Sequence, residues 1–294
     1  MAAVMVIATR RSDEDRNCRI LQPPCYKLEI INLLNQPLNI RYINPQQYLQ
    51  ASHQQFGLTL IITWVVTLIW HPEQIYEHPA RPIIGSFNPC FGWDYPPASY
   101  IALVLCSMNV YLTARYAWLE MTRTRLRNPG KLTWSERFAS TSAVVLALST
   151  CFWLLLWVIG PEDNNWVGHT GIFVMYAAGS YLACLGNYLE SRYGPFAKAG
   201  SVERRHTVFI VVYGFAALHL PTVYFYDLII YYSRGDMRGG PALPPWVTQS
   251  ADFIWMGCVM SITSFTPKEE LLKQTFELVP DDEAEEAGAA LIKP

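Results

Sequence analysis

Four polar side chains lie in or beside strongly apolar segments of the sequence: His169, Asp227, Asp252 and Asp94. Ionisable groups are costly inside a membrane unless they are paired, so such residues often mark a functional site. Their more common role near the membrane interface is interhelical hydrogen bonding, because water is close. A histidine with two carboxylates is also a conceivable metal ligand set. Our sharper hypothesis is a polar pocket on the outer side that binds a lipid headgroup or another small polar ligand.

A second group of candidate residues is basic and lies around the end of the second apolar segment. Arg115 can reach the membrane interface with its long side chain, and Glu120 and Glu190 are its expected ion-pair partners. Basic clusters beside a membrane helix attract anionic lipids by about 1 kcal/mol per residue, although they also serve simply to set topology. The predicted contacts with anionic lipid are Arg115, Arg123, Arg125, Arg127 and Lys131.

The sequence contains no recognisable catalytic or metal-binding motif. It lacks a glycine-rich phosphate loop, a Cys/His spacing typical of zinc and a hydrolase nucleophile elbow. Serine and histidine are both present, but no spacing places them together as nucleophile and base. The net charge of −2 gives no electrostatic case for binding nucleic acid. We therefore expect a non-enzymatic protein with no metal, no cofactor and no nucleic-acid partner.

The elements that must position these residues are apolar segments of membrane-spanning length. The chain of 294 residues is 51% hydrophobic and 16% charged, whereas soluble proteins average about 25% charged residues. A spanning helix needs roughly 20 apolar residues. The candidate segments are 56–70, which we expect to begin earlier near Tyr48, and 99–119, 138–160, 167–189, 207–232 and 246–265. The sequence thus predicts an all-α membrane protein, a bundle of six transmembrane helices.

The distribution of basic residues predicts the orientation of this bundle. Lys and Arg are abundant before the first helix and after the second and fourth helices, whereas the opposite loops contain only Arg81, Arg234 and Arg238. By the positive-inside rule, both termini face the cytosol, or the matrix if the protein is mitochondrial. The predicted regions are an interfacial N-terminal segment at 1–55, a six-helix domain at 56–266 and an acidic, disordered tail at 267–294.

Prolines predict where one helix begins and where another is irregular. The pair at 96–97 directly precedes the second apolar segment, where proline costs a helix little, and Asp94 is placed to cap it. Pro221 and His219 lie near the middle of the fifth segment. Because proline leaves a carbonyl without its helical partner, we expect a packing irregularity there with a hydrogen-bonded histidine.

Several motifs resemble those of a known six-helix family. They are YPPAS at 95–99, RYAWLE at 115–120, VGHTG at 167–171 and the sixth segment with its acidic stop at 250–271. In this order they resemble the damage-regulated autophagy modulators. That superfamily includes the fibroblast-growth-factor-receptor-activating protein, a GPI-anchor remodelling factor and the yeast suppressor-of-four-kinase protein. The sequence departs from the family pattern at Ala98, where the family motif has glutamate.

The resemblance implies a modulator of membrane lipid organisation, autophagy or trafficking, with membrane lipids as partners, in an endomembrane, lysosomal or plasma membrane. The alternative is an accessory structural subunit of a mitochondrial respiratory or ATP synthase complex in the inner membrane, with other membrane-protein subunits as partners. The absence of an Asn-x-Ser/Thr acceptor and of a recognisable signal peptide keeps this alternative open. A channel or transporter ranks third, because the sequence has no charged pore ring.

Overall fold

The computed structural model describes residues 5–7, 42–79, 81–127, 130–157, 166–195, 197, 202–234, 243–265 and 272–276. Within them lie six long helices: α1 (Pro45–Trp70), α2 (Ala98–Arg127), α3 (Trp134–Phe152), α4 (Trp166–Tyr193), α5 (Arg204–Arg234) and α6 (Pro245–Phe265). A 3-10 helix, Trp153–Trp157, extends α3. The loop between α1 and α2 contains two short helices, Glu73–Tyr76 and Arg81–Ile84, and a 3-10 turn, Pro89–Gly92. The predicted helical fold class is confirmed.

The helix boundaries follow the capping signals in the sequence. α1 begins at Pro45 because the Asn44 side chain accepts a hydrogen bond from the Gln46 N–H (3.0 Å), and Pro45 fills the first helical position. The predicted domain boundary after residue 55 therefore falls inside α1. α2 begins at Ala98, directly after the proline pair, as predicted.

Within the described residues, four helical stretches are long and apolar enough to cross a membrane: Pro45–Trp70, Trp134–Leu156, Gly168–Tyr193 and Arg204–Val223. They identify the chain as a membrane-embedded helical protein. α2 and α6 are not among these four, so the count of six spans is taken up below as a proposal.

The polarity of α1 is the reverse of that in a soluble helix. Its buried face has polar residues four apart: Gln55, Thr59, Thr63 and Thr67. Its exposed face has Ile61, Ile62, Val65, Leu68 and Ile69. Because an apolar exterior suits lipid and a polar interior can form hydrogen bonds between helices, this arrangement is typical of a membrane bundle.

Exposed aromatic side chains lie at both ends of the long helices. Trp70, Tyr100 and Trp246 are exposed at one end of the bundle, and Trp134 and Tyr193 at the other. Tryptophan and tyrosine favour the membrane–water interface, where their apolar rings and polar groups both find suitable surroundings. Their placement marks two interfacial levels with a largely apolar surface between them.

Each long helix packs against the next one in the chain, and α1 also packs against α6. Glycines allow close approach at two of these interfaces. A Cβ atom on Gly57 would lie 2.0 Å from the Met260 sulfur, and one on Gly186 would lie 2.9 Å from the Cα of Ala139. A larger residue at Gly186 would therefore push α4 away from the backbone of α3.

An aromatic cluster fills the centre of the bundle around Phe56. The ring centroids of Trp93, Trp153, Tyr176 and Trp255 lie 4.8–5.8 Å from that of Phe56. These rings come from the α1–α2 loop, the 3-10 extension of α3, α4 and α6, and all five are fully buried. The cluster therefore fixes the loop at residue 93 to the helical core.

Three short strands occur in the described part of the chain and join its N-terminal and C-terminal regions: β1 (Met5–Ile7), β2 (Tyr42–Ile43) and β3 (Leu272–Phe276). β3 lies between β1 and β2 and is antiparallel to both, with Met5 opposite Phe276 and Ile43 opposite Leu272. β3 falls within the segment for which the sequence predicts disorder.

The strands define one end of the bundle. Ile43 and Leu272 pack with Leu119 near the end of α2, so both strand-bearing ends of the chain meet there. We call this end the inner end, and the opposite end, which carries loop 71–97, the outer end. Every long helix runs between these two ends.

Candidate functional site

Loop 71–97 folds over the outer ends of α1 and α6 and forms the framework of the site. Hydrogen bonds hold it there, from Trp64 Nε1 to Pro89 O (2.6 Å), from Thr67 Oγ1 to Gly92 O (2.7 Å) and from Phe87 N to Gln249 Oε1 (3.0 Å). These bonds use buried or half-buried groups whose backbone partners would otherwise be costly to desolvate. The loop is thus a fixed part of the bundle surface.

Asp94 in this loop bridges two histidines. Its Oδ2 lies 2.9 Å from Nε2 of His78, and its Oδ1 lies 3.1 Å from Nε2 of His169 in the first turn of α4. The His78 ring also stacks on Phe91, with the ring centroids 3.9 Å apart. The carboxylate does not cap α2 as predicted, because both of its oxygens face imidazoles.

The electrostatics of the outer loop reflect this bridge. Burial raises the pKa of Asp94, but the charges and hydrogen bonds of His169 and His78 outweigh it, so that the pKa is lowered from its ordinary value. Burial raises the pKa of the Cys90 thiol, and the charges of Asp94 and Asp252 raise it further. Cys90 is therefore within electrostatic reach of both carboxylates and is kept as a neutral thiol.

The four residues predicted to share one outer pocket are only partly brought together. The structure joins His169 to Asp94 but pairs Asp252 on α6 with His219 on α5, whose Nε2 is 3.1 Å from Asp252 Oδ1. The prediction of a hydrogen-bonded His219 is confirmed. The side chain of Asp227 lies outside the described residues. No group of three metal-ligating side chains capable of holding a metal occurs in the described ranges.

An apolar groove opens on the outer half of the bundle between α1, α6 and loop 71–97. Its volume is about 580 Å³, and its walls include Leu60, Val65, Leu68, Phe87, Phe253 and Asp252. Pockets of about 300–1,000 Å³ with apolar walls and few polar groups are typical small-molecule sites. We call this cavity the outer groove; among the predicted outer residues whose side chains the structure describes, Asp252 is the one on its walls.

The inner end carries a cluster of buried charges, which we call the inner charge cluster: Glu120, Arg123, Arg127 and Glu190. The guanidinium of Arg123 donates to Glu120 and, at 2.5 Å, to Glu190 Oε2, while Arg127 Nη1 donates to Glu190 Oε1 at 2.7 Å. Glu120, Arg123 and Glu190 are at most 5% exposed. Two arginines and two glutamates of α2 and α4 thus neutralise one another.

This cluster corrects two of the predictions for the basic residues. Arg123 was expected to contact anionic lipid, but it is buried and its guanidinium is engaged by Glu120 and Glu190. Those glutamates pair with Arg123 and Arg127, and the guanidinium of Arg115 lies 4.6 Å from the Trp118 ring centroid. Of the five predicted lipid contacts, Arg125 and Lys131 are exposed, and Arg115 and Arg127 are half-buried.

A buried hydroxyl chain in the middle of the bundle was not foreseen from the sequence. Ser180 Oγ on α4 lies 2.5 Å from His53 Nε2 on α1 and 2.9 Å from the Tyr213 hydroxyl on α5. His53 Nδ1 lies 2.9 Å from the Leu49 carbonyl oxygen, so Nδ1 donates and Nε2 accepts. A serine beside a histidine can be a nucleophile and its base. All three side chains are fully buried, however, and none lines the outer groove.

The residues missed were those with no unusual position in the sequence. His53 precedes the apolar run 56–70, in the stretch by which we expected the first helix to extend back to Tyr48, and His78 lies within a loop. The one available signal was that both are histidines close to apolar segments, where an ionisable group requires a partner.

No family model, no curated protein and no solved structure matches this chain. The roles of these residues are therefore argued from the structure alone. The similarity of YPPAS and RYAWLE to motifs of the damage-regulated autophagy modulators therefore stays a prediction. What this chain does must be argued from its own grooves, charges and hydrogen bonds.

Proposed function

We propose that this chain is a non-enzymatic, six-span membrane protein that binds lipid in the outer groove. Through that binding it modulates lipid organisation, autophagy or trafficking in an endomembrane or the plasma membrane. The observation that carries the proposal is a groove of about 580 Å³ with apolar walls and one buried carboxylate, on a helical bundle with a largely apolar surface.

Three features support six crossings with both termini on the cytosolic side. All six long helices run between the inner and outer ends, and exposed aromatic residues mark both levels. β1 pairs with β3, so the two ends of the chain meet at one end of the bundle, as an even number of crossings requires. The exposed basic residues Arg125, in the last turn of α2, and Lys131, shortly after it, lie at that same end, which suits a cytosolic leaflet containing anionic lipid.

The position of the groove supports a lipid as its ligand. Val65 and Phe253, which line it, are also exposed on the outer surface of α1 and α6 (50% and 70%). Such residues would face acyl chains in a bilayer, so a lipid could enter sideways without crossing water. The apolar walls would contact its chains, and the buried carboxylate would meet its polar group.

The test is extraction of the full chain from its native membrane in a mild detergent, followed by particle mass and analysis of the lipids that co-purify. Val65→Trp fills the outer groove with an indole, and we expect it to remove most of the bound lipid. Val211→Trp is the matched control, because Val211 is exposed on α5 and does not line the groove.

The outcomes separate the candidate functions. A small particle whose lipid is lost in Val65→Trp and kept in Val211→Trp supports the lipid-binding modulator. A very large particle containing respiratory or synthase subunits would support the accessory structural subunit instead. Lipid content that is the same in both variants would contradict a lipid site in the groove.

A further inference from the structure

The outer groove contains one buried polar atom that its own surroundings leave unsatisfied. Gln249 lines the groove, but its amide is used by the Phe87 backbone, accepting from the N–H at 3.0 Å and donating to the carbonyl at 3.2 Å. The Trp64 indole N–H donates to the Pro89 carbonyl oxygen at 2.6 Å. Asp252 Oδ2 is different, because it is buried and has no hydrogen-bond partner in the described part of the chain.

The burial of Asp252 makes its unpaired oxygen significant. The residue is 1% exposed, and its surroundings in the groove are aliphatic and aromatic. A buried oxygen without a hydrogen-bond partner is unfavourable, and native proteins satisfy nearly all such atoms. Asp252 lines the groove, so a ligand bound there lies beside this carboxylate.

The partner of the other oxygen determines what kind of group can bind. His219 Nδ1 lies against the Ala216 carbonyl oxygen. Because a carbonyl oxygen only accepts, Nδ1 must carry a hydrogen. His219 Nε2 and Asp252 Oδ1 are 3.1 Å apart and share one further proton. Whichever of the two atoms holds that proton, the pair is neutral overall and Asp252 Oδ2 remains an acceptor.

A neutral acceptor in an apolar groove selects a neutral donor. An ionised phosphate has only acceptor oxygens and would place a second acceptor against Oδ2. An ammonium group would donate, but it would leave a charge without a counter-ion in apolar surroundings. A hydroxyl group satisfies Oδ2 without introducing charge, since it has one donor and two acceptor sites.

We propose that the outer groove binds a neutral membrane amphiphile through a single hydroxyl group, which donates a hydrogen bond to Asp252 Oδ2. Leu60, Val65 and Leu68 of α1 and Phe253 of α6 contact its hydrocarbon body. This inference rests on the proposed lipid-binding function and specifies its ligand. A sterol and a diacylglycerol share this chemistry, and the experiment below distinguishes them.

The experiment uses the full chain in phosphatidylcholine nanodiscs with photoreactive analogues of a sterol and of a diacylglycerol. Cross-linked peptides are identified by mass spectrometry, and labelling is competed with each unlabelled lipid or its O-methyl ether. We expect labelling on the groove-facing parts of α1 and α6. The methyl ether should compete about tenfold less well than the hydroxyl form, since it lacks the donor. Whichever unlabelled lipid competes better shows whether the groove prefers a sterol or a diacylglycerol.

Two substitutions of Asp252 test the same contact from the protein side. Asp252→Leu removes the acceptor and should reduce labelling about tenfold. Asp252→Asn should retain it, because its amide N–H donates to His219 Nε2 and its carbonyl oxygen still accepts from the ligand hydroxyl. Thr63→Val is the control for loss of a buried hydroxyl, since Thr63 bonds only within α1 and does not line the groove.

Several results would overturn the inference. Equal competition by the methyl ether would show that the hydroxyl group does not contribute to binding. This test needs no variant that might misfold. Stronger competition by phosphatidic acid would assign an anionic headgroup, and labelling by an alkylammonium probe that is lost in Asp252→Asn would assign a cation. Absence of any amphiphile label in the groove would instead refute the proposed function itself.

Discussion

The inner charge cluster and the outer groove both contain buried carboxylates, but they differ in how completely those carboxylates are paired. At the inner end, Glu120 and Glu190 both receive hydrogen bonds from Arg123, and Arg127 adds another to Glu190. At the outer groove, Asp252 receives one partner through Oδ1, and Oδ2 has none among the described residues. The carboxylates of the two regions are buried to a similar degree, so burial alone does not distinguish a structural role from a binding role.

The difference suggests that incomplete pairing, more than the presence of charge, marks the binding site. A fully paired cluster has no hydrogen-bonding groups left for a ligand. Removing one of its members leaves the remaining charges buried without a partner, which destabilises the fold. A half-paired carboxylate can gain from a ligand what the protein does not provide. Each of the following experiments alters one side of this comparison.

The largest expected effect comes from breaking the inner charge cluster. Arg123→Met keeps the length of the side chain but leaves Glu120 and Glu190 buried without their shared partner. Removing one member of a buried ion pair typically costs about 3–5 kcal/mol, so we expect a large fall in the midpoint of thermal unfolding in detergent. Groove labelling per folded molecule should not change.

The matched control is Arg125→Met, which lies on the same helix two residues away and is exposed. Its effect on stability should stay within about 0.5 kcal/mol. Equal stability of the two variants would show that the inner charge cluster does not stabilise the fold, and the comparison between the two regions would fail.

A smaller effect is expected in the central hydroxyl chain, which is fully paired but uncharged. Ser180→Ala leaves His53 Nε2 without its 2.5 Å donor, although the Tyr213 hydroxyl, 3.5 Å away, can move to donate instead. We expect the free energy of unfolding to fall by about 1 kcal/mol, the low end of the range for an unsatisfied buried group. The measurement is again thermal unfolding in detergent.

Ser142→Ala is a suitable reference for this change, because Ser142 is buried and its hydroxyl donates to a carbonyl of its own helix, that of Phe138. Its loss leaves no other side chain unpaired. If Ser180→Ala were no more destabilising than Ser142→Ala, the contacts of Ser180 with α1 and α5 would contribute nothing measurable.

The helices were predictable because apolar length and proline position are properties of the sequence alone. α1 starts at Pro45, close to the start expected near Tyr48, but the apolar run itself covers only 56–70, because hydropathy does not count the preceding glutamines as part of a membrane helix. In the structure, Gln46 accepts a hydrogen bond from Asn187 at 3.3 Å, and Asn187 also donates to Tyr116 at 2.9 Å. A polar side chain belongs inside a membrane bundle when another helix offers it a partner, and no single segment contains that information.

The candidate site was predictable in its residue types but only partly in its pairings. His169 and Asp94 were correctly expected at one level of the bundle, and they do meet. The partners His78 and His219 were not assigned, because position along a helix or loop does not determine which neighbouring element it faces. Arg123 was misplaced for the same reason: Glu190, one of its partners, is 67 positions away in the sequence.

The smallest expected effect concerns Asp94, an outer carboxylate that is fully paired. Because its pKa is below the ordinary value of 3.8 in the folded chain, the unfolded chain binds the proton more readily at low pH. The stabilisation from Asp94 is therefore complete at neutral pH and is lost as the pH falls below 3.8 toward the lower folded value. We expect the midpoint of thermal unfolding to fall over this acidic range, by less than the Ser180→Ala substitution lowers it at neutral pH.

His169→Gln sharpens this last test, because it removes the charge that contributes most to lowering the pKa of Asp94 while keeping a hydrogen-bond donor. The decline should then be smaller, and it should end at a higher pH than in the unmodified chain, because the folded pKa lies closer to 3.8. His71→Gln is the matched control, since His71 is in the same loop but pairs with the exposed Glu73, and it should leave the size and the end of the decline unchanged. An unchanged decline in His169→Gln would mean that Asp94 is not held as a paired carboxylate. The contrast with the half-paired Asp252 would then lose its basis.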